Sequence, residues 1–343
     1  MSGNMTISLD EVEALALAAL LRAGASEAQA WPVARSIRSA EAEGTRGIGL
    51  GYLKWYCGHM RVGKITGNAV PTVIHRTPSV IFVDAKDGFA HPAYEAGEAA
   101  LIAATQAQGI AILGVANAYA CGVLGYFVDR LARAGLVALA TTNASASIAP
   151  WGGAVPFFGT NPWAFAAPRA GDPLVMDGSS SATAYVNVAG AAKRGETIPA
   201  DWALDRSGQP TTDPVEGLKG SMAPAGGHKG AVMALMVEVL AAGLTGANWS
   251  FQASSLANDE GGPPRLGQSI IAIAPGVLSG VDFGAGLEVM LASMLSQPGV
   301  RLPGARRHAN RKVAERQGVD LDREFAAELT KLAGRPPCAL SDS

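Results

Sequence analysis

From residue 71 onward, short apolar runs alternate with alanine-rich stretches patterned for helix, and this alternation limits the architecture more than any other feature of the chain. The apolar runs fall at 80–84, 110–115 and 136–142, with helical patterns at 92–108 and 122–134 between them. Strands and helices alternating at this spacing predict an α/β body. Further strands are expected at 174–177 and 269–273, and long buried helices at 229–244 and 282–295.

The first seventy residues read differently. Ser8-Leu9-Asp10-Glu11 forms a capping box ahead of an apolar-periodic stretch to Leu21, and Ser26-Glu27-Ala28-Gln29 repeats the device before a second helix to Ala42, with Gly24 as the stop between them. Past Val300 the chain turns basic, with Arg301, Arg306, Arg307, Arg311 and Lys312, and is expected to wrap a surface. The segment 187–224, rich in Gly, Pro, Thr and charge, reads as an ordered excursion. The coarse picture is a helical N-terminal part, a central α/β body and a helical C-terminal part.

Charge and composition exclude several functions. In 343 residues, 27 Lys and Arg stand against 29 Asp and Glu without a basic block, so the electrostatic footprint of a nucleic-acid binder is missing. Cys57, Cys121 and Cys338 are sparse, odd in number and free of CxxC spacing, and no charged-then-apolar segment opens the chain; a reducing, cytoplasmic setting without disulfides is the plain expectation. The uncharged runs 109–128 and 135–168 are punctuated by Gly, Asn, Ser, Thr and Pro at strand and turn spacing, which argues buried strands with their loops and no membrane span. The five histidines (59, 75, 91, 228, 308) are scattered, with no HExxH, so no bound metal is expected.

Four short segments have the chemistry of a ligand site. Gly47-Ile48-Gly49-Leu50-Gly51 lacks the spacing of a dinucleotide fingerprint and follows a helix, so it reads as a flexible turn. Gly226-Gly227-His228-Lys229-Gly230 lets backbone approach a ligand at an anion-favouring helix start, where His228 offers a titratable ring and Lys229 a phosphate-pairing charge; it also reads as a solvated loop. Phe158-Gly159-Thr160-Asn161-Pro162-Trp163 is a turn signal carrying small donors, or an Asx turn only. Asp177, before Gly178-Ser179, stands at a strand end, where α/β sheets put ligands and where a helix-capping Asp is equally at home.

Taken together, Phe158-Gly159-Thr160-Asn161-Pro162, Pro173-Leu174-Val175-Met176-Asp177, Gly208-Gln209-Pro210-Thr211-Thr212-Asp213-Pro214, Gly226-Gly227-His228-Lys229-Gly230 and Arg301-Leu302-Pro303-Gly304 resemble the second type of malate/L-lactate dehydrogenase, in family order over nearly the whole chain. The resemblance implies a non-Rossmann α/β fold with a central mixed-sheet domain binding NAD(P)H at 71–281. It also implies a helical part at 1–70 plus 282–343 that serves dimerisation and the substrate side of a homodimer. Cofactor contacts are expected from Tyr119, Ala120, Cys121, Gly122, Val123, Asp177, Gly178, Ser179, Tyr185, His228, Lys229, Arg301, Gly304, Arg306 and Arg307, and NADPH is favoured over NADH because Lys229, Arg306 and Arg307 can meet a 2′-phosphate. Thr160 and Asn187 are expected beside the substrate. Asn248-Trp249-Ser250-Phe251 after Leu244-Thr245-Gly246 looks most like the branch reducing Δ1-piperideine-2-carboxylate and Δ1-pyrroline-2-carboxylate.

The chain departs from the family pattern where the proton is handled. A gap-free register puts Gly47-Ile48-Gly49 at the family's Ser-His-Gly and Tyr52 near its carboxylate-binding Arg, while a two-residue slip puts Thr45-Arg46-Gly47 there; neither supplies a histidine. Asn117-Ala118-Tyr119-Ala120-Cys121-Gly122 stands for Asn-Ser-His-His-Phe-Gly, and Asn187 for the acidic relay residue. Tyr52, Tyr119, Tyr185 and His228 are the candidate replacement donors, and Arg46 and Ile48 the substrate-side residues of the loop.

A ketone becoming an alkoxide needs a donor worth about 10²–10⁴-fold, whereas a cyclic ketimine can carry its proton before hydride arrives. Loss of the histidine therefore favours reduction of a small imino acid at C=N. A 2-oxoacid dehydrogenase of malate or lactate type is the first alternative, and a catalytically inactive nucleotide-binding homologue the second.

Overall fold

The computed structural model describes residues 3–340. Strand β1 (Asn4–Ile7) leads into helices α1 (Leu9–Arg22) and α2 (Glu27–Ala42). Ser8 and Ser26 cap them as the sequence predicts, their hydroxyls accepting from Glu11 N and Gln29 N. Two short 3-10 turns, Arg46–Ile48 and Leu50–Tyr52, connect to α3 (Leu53–Arg61).

The α/β body begins with β2 (Thr72–Thr77) and β3 (Val80–Asp84), followed by α4 (Ala90–Gln108), β4 (Ile110–Ala118), α5 (Gly125–Arg133) and β5 (Val137–Thr142). Strand β4 runs three residues past its predicted end, and α5 starts at Gly125 where 122 was predicted. Residues 119–124 are thus loop, because Gly122 adopts φ +68°, which breaks the helical path. After β6 (Trp163–Ala167) and β7 (Leu174–Gly178), the excursion contains α6 (Tyr185–Arg194), β8 (Ala203–Leu204), β9 (Pro210–Thr211), α7 (Pro214–Lys219) and β10 (Ser221–Met222), built on its own small core of Ile148, Val188, Ile198, Ala203 and Met222. Helix α8 (His228–Glu238) passes through a π-helical turn (Val239–Gly243) before β11 (Leu266–Ile273). The chain closes with α9 (Pro275–Ser279), α10 (Phe283–Leu295), α11 (Ala305–Gln317), β12 (Val319–Asp322) and α12 (Arg323–Ala333).

Seven strands form the central sheet in the order β2-β3-β4-β11-β5-β6-β7. Only β3 and β4 pair in parallel; β11 lies antiparallel between β4 and β5, with Ile270 opposite Leu113 and Ala140. This insertion of a late strand makes the sheet mixed and excludes a doubly wound Rossmann order, which needs parallel neighbours. Ile270, Leu113 and Ala140 face a core shared with Tyr94, Phe127 and Leu131 of α4 and α5. On the opposite face Ser269 Oγ donates to Leu240 O in the π-helical turn. Helices therefore cover both sides of the sheet.

The two ends of the chain meet. Strand β1 pairs antiparallel with β12, Ile7 opposite Val319, and residues Val12, Leu20, Val33 and Ile37 share one core with Ala314, Leu321 and Leu329. Helix α10 does not join that core; its Leu287 and Leu291 pack with Ala167 and Leu174 of β6 and β7.

Two expectations of burial need correction. Helix α8 buries a stripe of small residues, Gly230, Ala231 and Ala234, and turns Val232 (50% exposed), Leu235 and Met236 outward. Helix α10 buries only Leu291 and exposes Val289 (73%) and Met290. Both helices are apolar over most of their length, so their pattern gave little indication of which face points out. Among the described residues no helix is long and apolar enough to cross a membrane.

Candidate functional site

Strands β4, β5 and β7 run in the same direction, since β11 is antiparallel to both β4 and β5 and β6 is antiparallel to both β5 and β7. Their carboxyl ends open on one cavity of about 290 Å³, the crevice position in which open α/β sheets bind ligands. The loop after β4 contributes Ala120, Cys121, Gly122 and Val123, and the end of β5 contributes Thr142 and Asn143. Asp177, Gly178 and Ser179 come from the end of β7, Thr160 from the approach to β6, and Tyr185 and Val186 from the start of α6. Helical residues close the other side: Thr45, Gly47, Ile48 and Tyr52, with Arg307 of α11.

Asp177 is held twice. Its Oδ2 accepts from Gly125 N at 3.0 Å, at the start of α5 where the helix dipole favours negative charge, and from Arg307 Nη1 at 3.0 Å. The capping reading of this carboxylate is therefore realised in the structure, and it stands on the cavity wall as well. Gly122 lies close to the helical part: a Cβ there would lie 3.4 Å from Tyr56 Oη and 3.6 Å from Ile48.

Thr160 reaches the cavity because the chain around it is pinned from below. A Cβ on Gly159 would sit 2.4 Å from Ala144 O, so only glycine fits. Asn161 takes φ +39° and is fully buried, donating from Nδ2 to Ala234 O at 2.8 Å and to Glu238 Oε2 at 2.6 Å. Ser250 completes the network, its N donating to Glu238 Oε1 at 2.6 Å and its Oγ to Oε2 at 2.5 Å. Sequence reasoning missed Glu238, although a single carboxylate in an otherwise apolar helix signals a buried partner.

The loop of residues 46–52 rests on a second buried carboxylate that the sequence reading passed over. Glu41, 2% exposed, accepts from Leu50 N at 2.7 Å through Oε1, and burial pushes its pKa up to about 7. Ile48 lines the cavity; Arg46 does not, its guanidinium lying half-exposed 3.9 Å from Glu41. The gap-free register therefore brings its central residue to the cavity. Tyr52 Oη lies 3.5 Å from Tyr119 Oη. Tyr119 itself is buried among Tyr56 and Phe89, its hydroxyl 2.5 Å from His59 Nδ1, and meets the cavity only through Tyr52.

Several expected residues are not brought to the cavity. His228 and Lys229 are exposed at the start of α8, with the His228 ring edge-on to Trp151 at 5.8 Å. Asn187 is exposed and donates to Thr183 Oγ1 at 2.9 Å, although Val186 beside it lines the wall and packs near Gly47. Arg301 and Arg306 are exposed, and Gly304 borders a separate narrow cleft with Arg307 and His308. Among the described residues no cluster of three His, Cys, Asp or Glu groups could hold a metal ion.

A family model for malate/L-lactate dehydrogenase matches residues 7–330. The chain is 46% identical over 307 residues to a (2R)-3-sulfolactate dehydrogenase (NADP(+)) of Chromohalobacter salexigens, covering 89% of this chain and 92% of that protein. It is 39% identical over 333 residues to a Δ1-pyrroline-2-carboxylate reductase of Ancylobacter novellus, covering 96% and 98%. The crystal structure of Δ1-piperideine-2-carboxylate reductase from Pseudomonas syringae pv. tomato superimposes with a TM-score of 0.91 at 35% identity, covering 95% of this chain and 99% of that one.

Proposed function

The chain belongs to the malate/L-lactate dehydrogenase family, and from that premise we propose that it is an NADPH-dependent reductase of small imino acids, cyclic ketimines such as Δ1-piperideine-2-carboxylate or Δ1-pyrroline-2-carboxylate. One observation carries this reading: Ile48, which the gap-free register sets against the family's histidine, stands on the cavity wall, while Arg46 of the alternative register does not. A carbonyl oxygen would meet no imidazole there, whereas a C=N group can arrive protonated. The relatives that reduce pyrroline and piperideine carboxylates support the choice.

The residues present suit a nicotinamide nucleotide. The wall is mostly apolar, the backbone at Gly122 approaches closely, and Ser179, Tyr185 and Asp177 offer polar atoms beside it. Arg301, Arg306 and Lys229 are exposed cations in no ion pair among the described residues, available to the phosphates that favour NADPH, with NADH the weaker choice. Bound NADPH supplies the hydride, and the chain holds the acceptor carbon against it. Thr160 and Tyr52 are the polar side chains we assign to the substrate, with Ile48 shielding it from water.

The relative acting on sulfolactate favours a second reading, a 2-hydroxyacid or 2-oxoacid dehydrogenase. Against it, the only cation on the cavity wall among the described residues is Arg307, already engaged by Asp177. A dianionic acid fits that wall less well than an imino monocarboxylate. The outward apolar faces of α8 and α10 support a homodimer in which a second copy covers them. Buried free Cys57 and Cys121 suit a reducing cytoplasm.

Thermal unfolding with NADPH and NADH, followed by NADPH oxidation with Δ1-piperideine-2-carboxylate, tests the proposal. Saturation at a hundred times the Kd stabilises the fold by about 2.7 kcal/mol, a clear rise in Tm. No shift with either nucleotide would leave only a non-catalytic homologue, and a shift with turnover of 2-oxoacids alone would select the second reading.

A further inference from the structure

We propose that Tyr52 is the proton donor of the reaction and that buried Tyr119 and His59 form, with exposed Asp259, a relay that positions it and, while the cavity is filled, replaces its proton from the far side. The inference rests on the reductase reading above and names the residues that handle its proton. The chain of contacts is continuous. Tyr52 lines the cavity, its Oη is 3.5 Å from Tyr119 Oη, Tyr119 Oη is 2.5 Å from His59 Nδ1, and His59 Nε2 lies 3.6 Å from Asp259 Oδ1. His59 is fully buried and its Nε2 makes no hydrogen bond within the protein, while the Asp259 side chain is 65% exposed. The path therefore begins at the ligand and ends in solvent.

The far end is fixed on purpose-built supports. Lys64, itself wholly buried, donates through Nζ to Ser255 O at 2.5 Å and to Asn258 O at 2.8 Å, which holds the loop carrying Asp259 over the imidazole. A buried ammonium hydrogen-bonded to two loop carbonyls, with the Asp259 and Glu260 carboxylates near enough to act on its charge, is an arrangement that a simple surface turn does not require. The groups facing His59 are Tyr119, the Trp55 ring at 5.6 Å, Lys64, the Asn258 backbone and Asp259, with Glu260 next along the loop. Burial and the Lys64 ammonium keep the imidazole below its usual pKa against the pull of Asp259, so it rests neutral, able to donate at one nitrogen and accept at the other. Burial raises both tyrosines above their usual pKa, so each keeps its proton until a stronger base forms beside it.

The proton balance closes. As hydride reaches carbon, the substrate nitrogen takes the Tyr52 proton; the Tyr119 proton moves to Tyr52, the His59 Nδ1 proton moves to Tyr119, and Nε2 takes one proton from the Asp259 carboxyl, which draws it from solvent. No charge is left in the core. After product leaves, a proton from water in the open cavity enters at Tyr52, the hydroxyl protons step back to Tyr119 and to His59 Nδ1, and Nε2 releases its proton through Asp259; the relay thus lends a proton while the cavity is filled and is reset from the cavity between turnovers.

The test assays the full-length protein with NADPH and Δ1-piperideine-2-carboxylate across pH. Tyr52→Phe, Tyr119→Phe and His59→Gln should each lower kcat about 10²-fold at alkaline pH, with the NADPH-induced shift in Tm retained, and the deficit should shrink as pH falls and substrate arrives already protonated. Asp259→Asn, on the surface, should give a few-fold loss with the same pH dependence. Unchanged kcat in Tyr119→Phe and His59→Gln, or a deficit equal at every pH, overturns the relay while leaving the reductase reading intact. If the unaltered protein binds NADPH but reduces no imino acid, the reductase reading fails, and nitrogen-15 NMR of His59 decides the relay alone. Its Nδ1 resonance must move in Tyr119→Phe and its Nε2 resonance in Asp259→Asn, and fixed resonances would overturn the relay.

Discussion

Arg307 of α11 donates to Asp177 at the end of β7 over 3.0 Å, an ion pair that joins the C-terminal helices to the central sheet at the edge of the cavity. Glu43 of the N-terminal part lies 3.8 Å from the same guanidinium. Removing it leaves two partly buried carboxylates each short of a partner. Arg307→Ala should lower stability by about 1–3 kcal/mol and weaken NADPH binding, both read from urea unfolding with and without nucleotide. A variant as stable as its parent would remove the structural role assigned to the pair.

Lys229 is exposed at the start of α8, outside the apolar cavity. A nucleotide extends well beyond its nicotinamide, so an outlying cation can still meet a phosphate. Lys229→Ala should weaken NADPH about threefold to tenfold and leave Tm of the free protein unchanged. Equal affinity in a titration of both proteins would exclude Lys229 from the nucleotide site.

In the gap-free register that we propose, Ile48 on the cavity wall and Asn187 beside Val186 stand for the family's acid and the acid's carboxylate. A Cβ on Gly47 would lie 3.9 Å from Val186 Cγ2, so the two loops adjoin. Ile48→His with Asn187→Asp should raise kcat for pyruvate or another 2-oxoacid at least about tenfold, a fraction of what a general acid supplies. A folded double variant without that gain would refute the account of why imines are preferred.

Glu41 sets a pH dependence. Its carboxyl is raised from 4.5 to about 7 by burial, so the folded state holds its proton more tightly than the unfolded state. The associated stability is complete below about 4.5 and is lost as pH rises through about 7, on the order of 3 kcal/mol across the window. His91, lowered to about 4 by burial, works in the opposite sense, gaining stability as pH rises toward 6.5. The readout is therefore the difference between parent and Glu41→Gln, which should grow in the variant's favour from pH 5 to 7.5; parallel stability curves would contradict the raised carboxyl.

Glu238 carries Asn161 and Ser250 on one buried carboxylate. Glu238→Ala leaves three donors unsatisfied and should cost about 3 kcal/mol or more. Because the same network holds Thr160 at the cavity, KM for the imino acid should rise beyond any change in NADPH affinity. An unchanged KM in a folded variant would separate the network from the site.

The sequence made the local elements readable and left the long-range ones hidden. Ser8 and Ser26 announced α1 and α2 because a cap is made within three residues. Asp177 could be placed at a strand end facing a ligand crevice, since that follows from strand direction and turn chemistry. The contact between His59 and Tyr119 joins residues sixty apart, and no pattern along either segment points to the other. Helices α8 and α10 were expected to be buried because they are apolar over most of their length; only packing shows that Gly230, Ala231 and Ala234 turn inward and Val232 turns out. His228 and Lys229 looked like residues of the inner site from their glycine setting, and the tertiary path of α8 leaves them exposed outside the apolar cavity.

The place of β11 between β4 and β5 governs the order in which this protein can be born. A chain leaving the ribosome presents β4 and β5 first, each with an unpaired edge facing the gap that β11 will fill only after α8 has been made. For that interval the nascent chain holds two half-sheets with open edges, and the β4 side of the cavity is not yet joined to the β5–β7 side. Chaperone demand during synthesis should therefore end when β11 emerges, well before the C-terminal strand arrives to pair with β1.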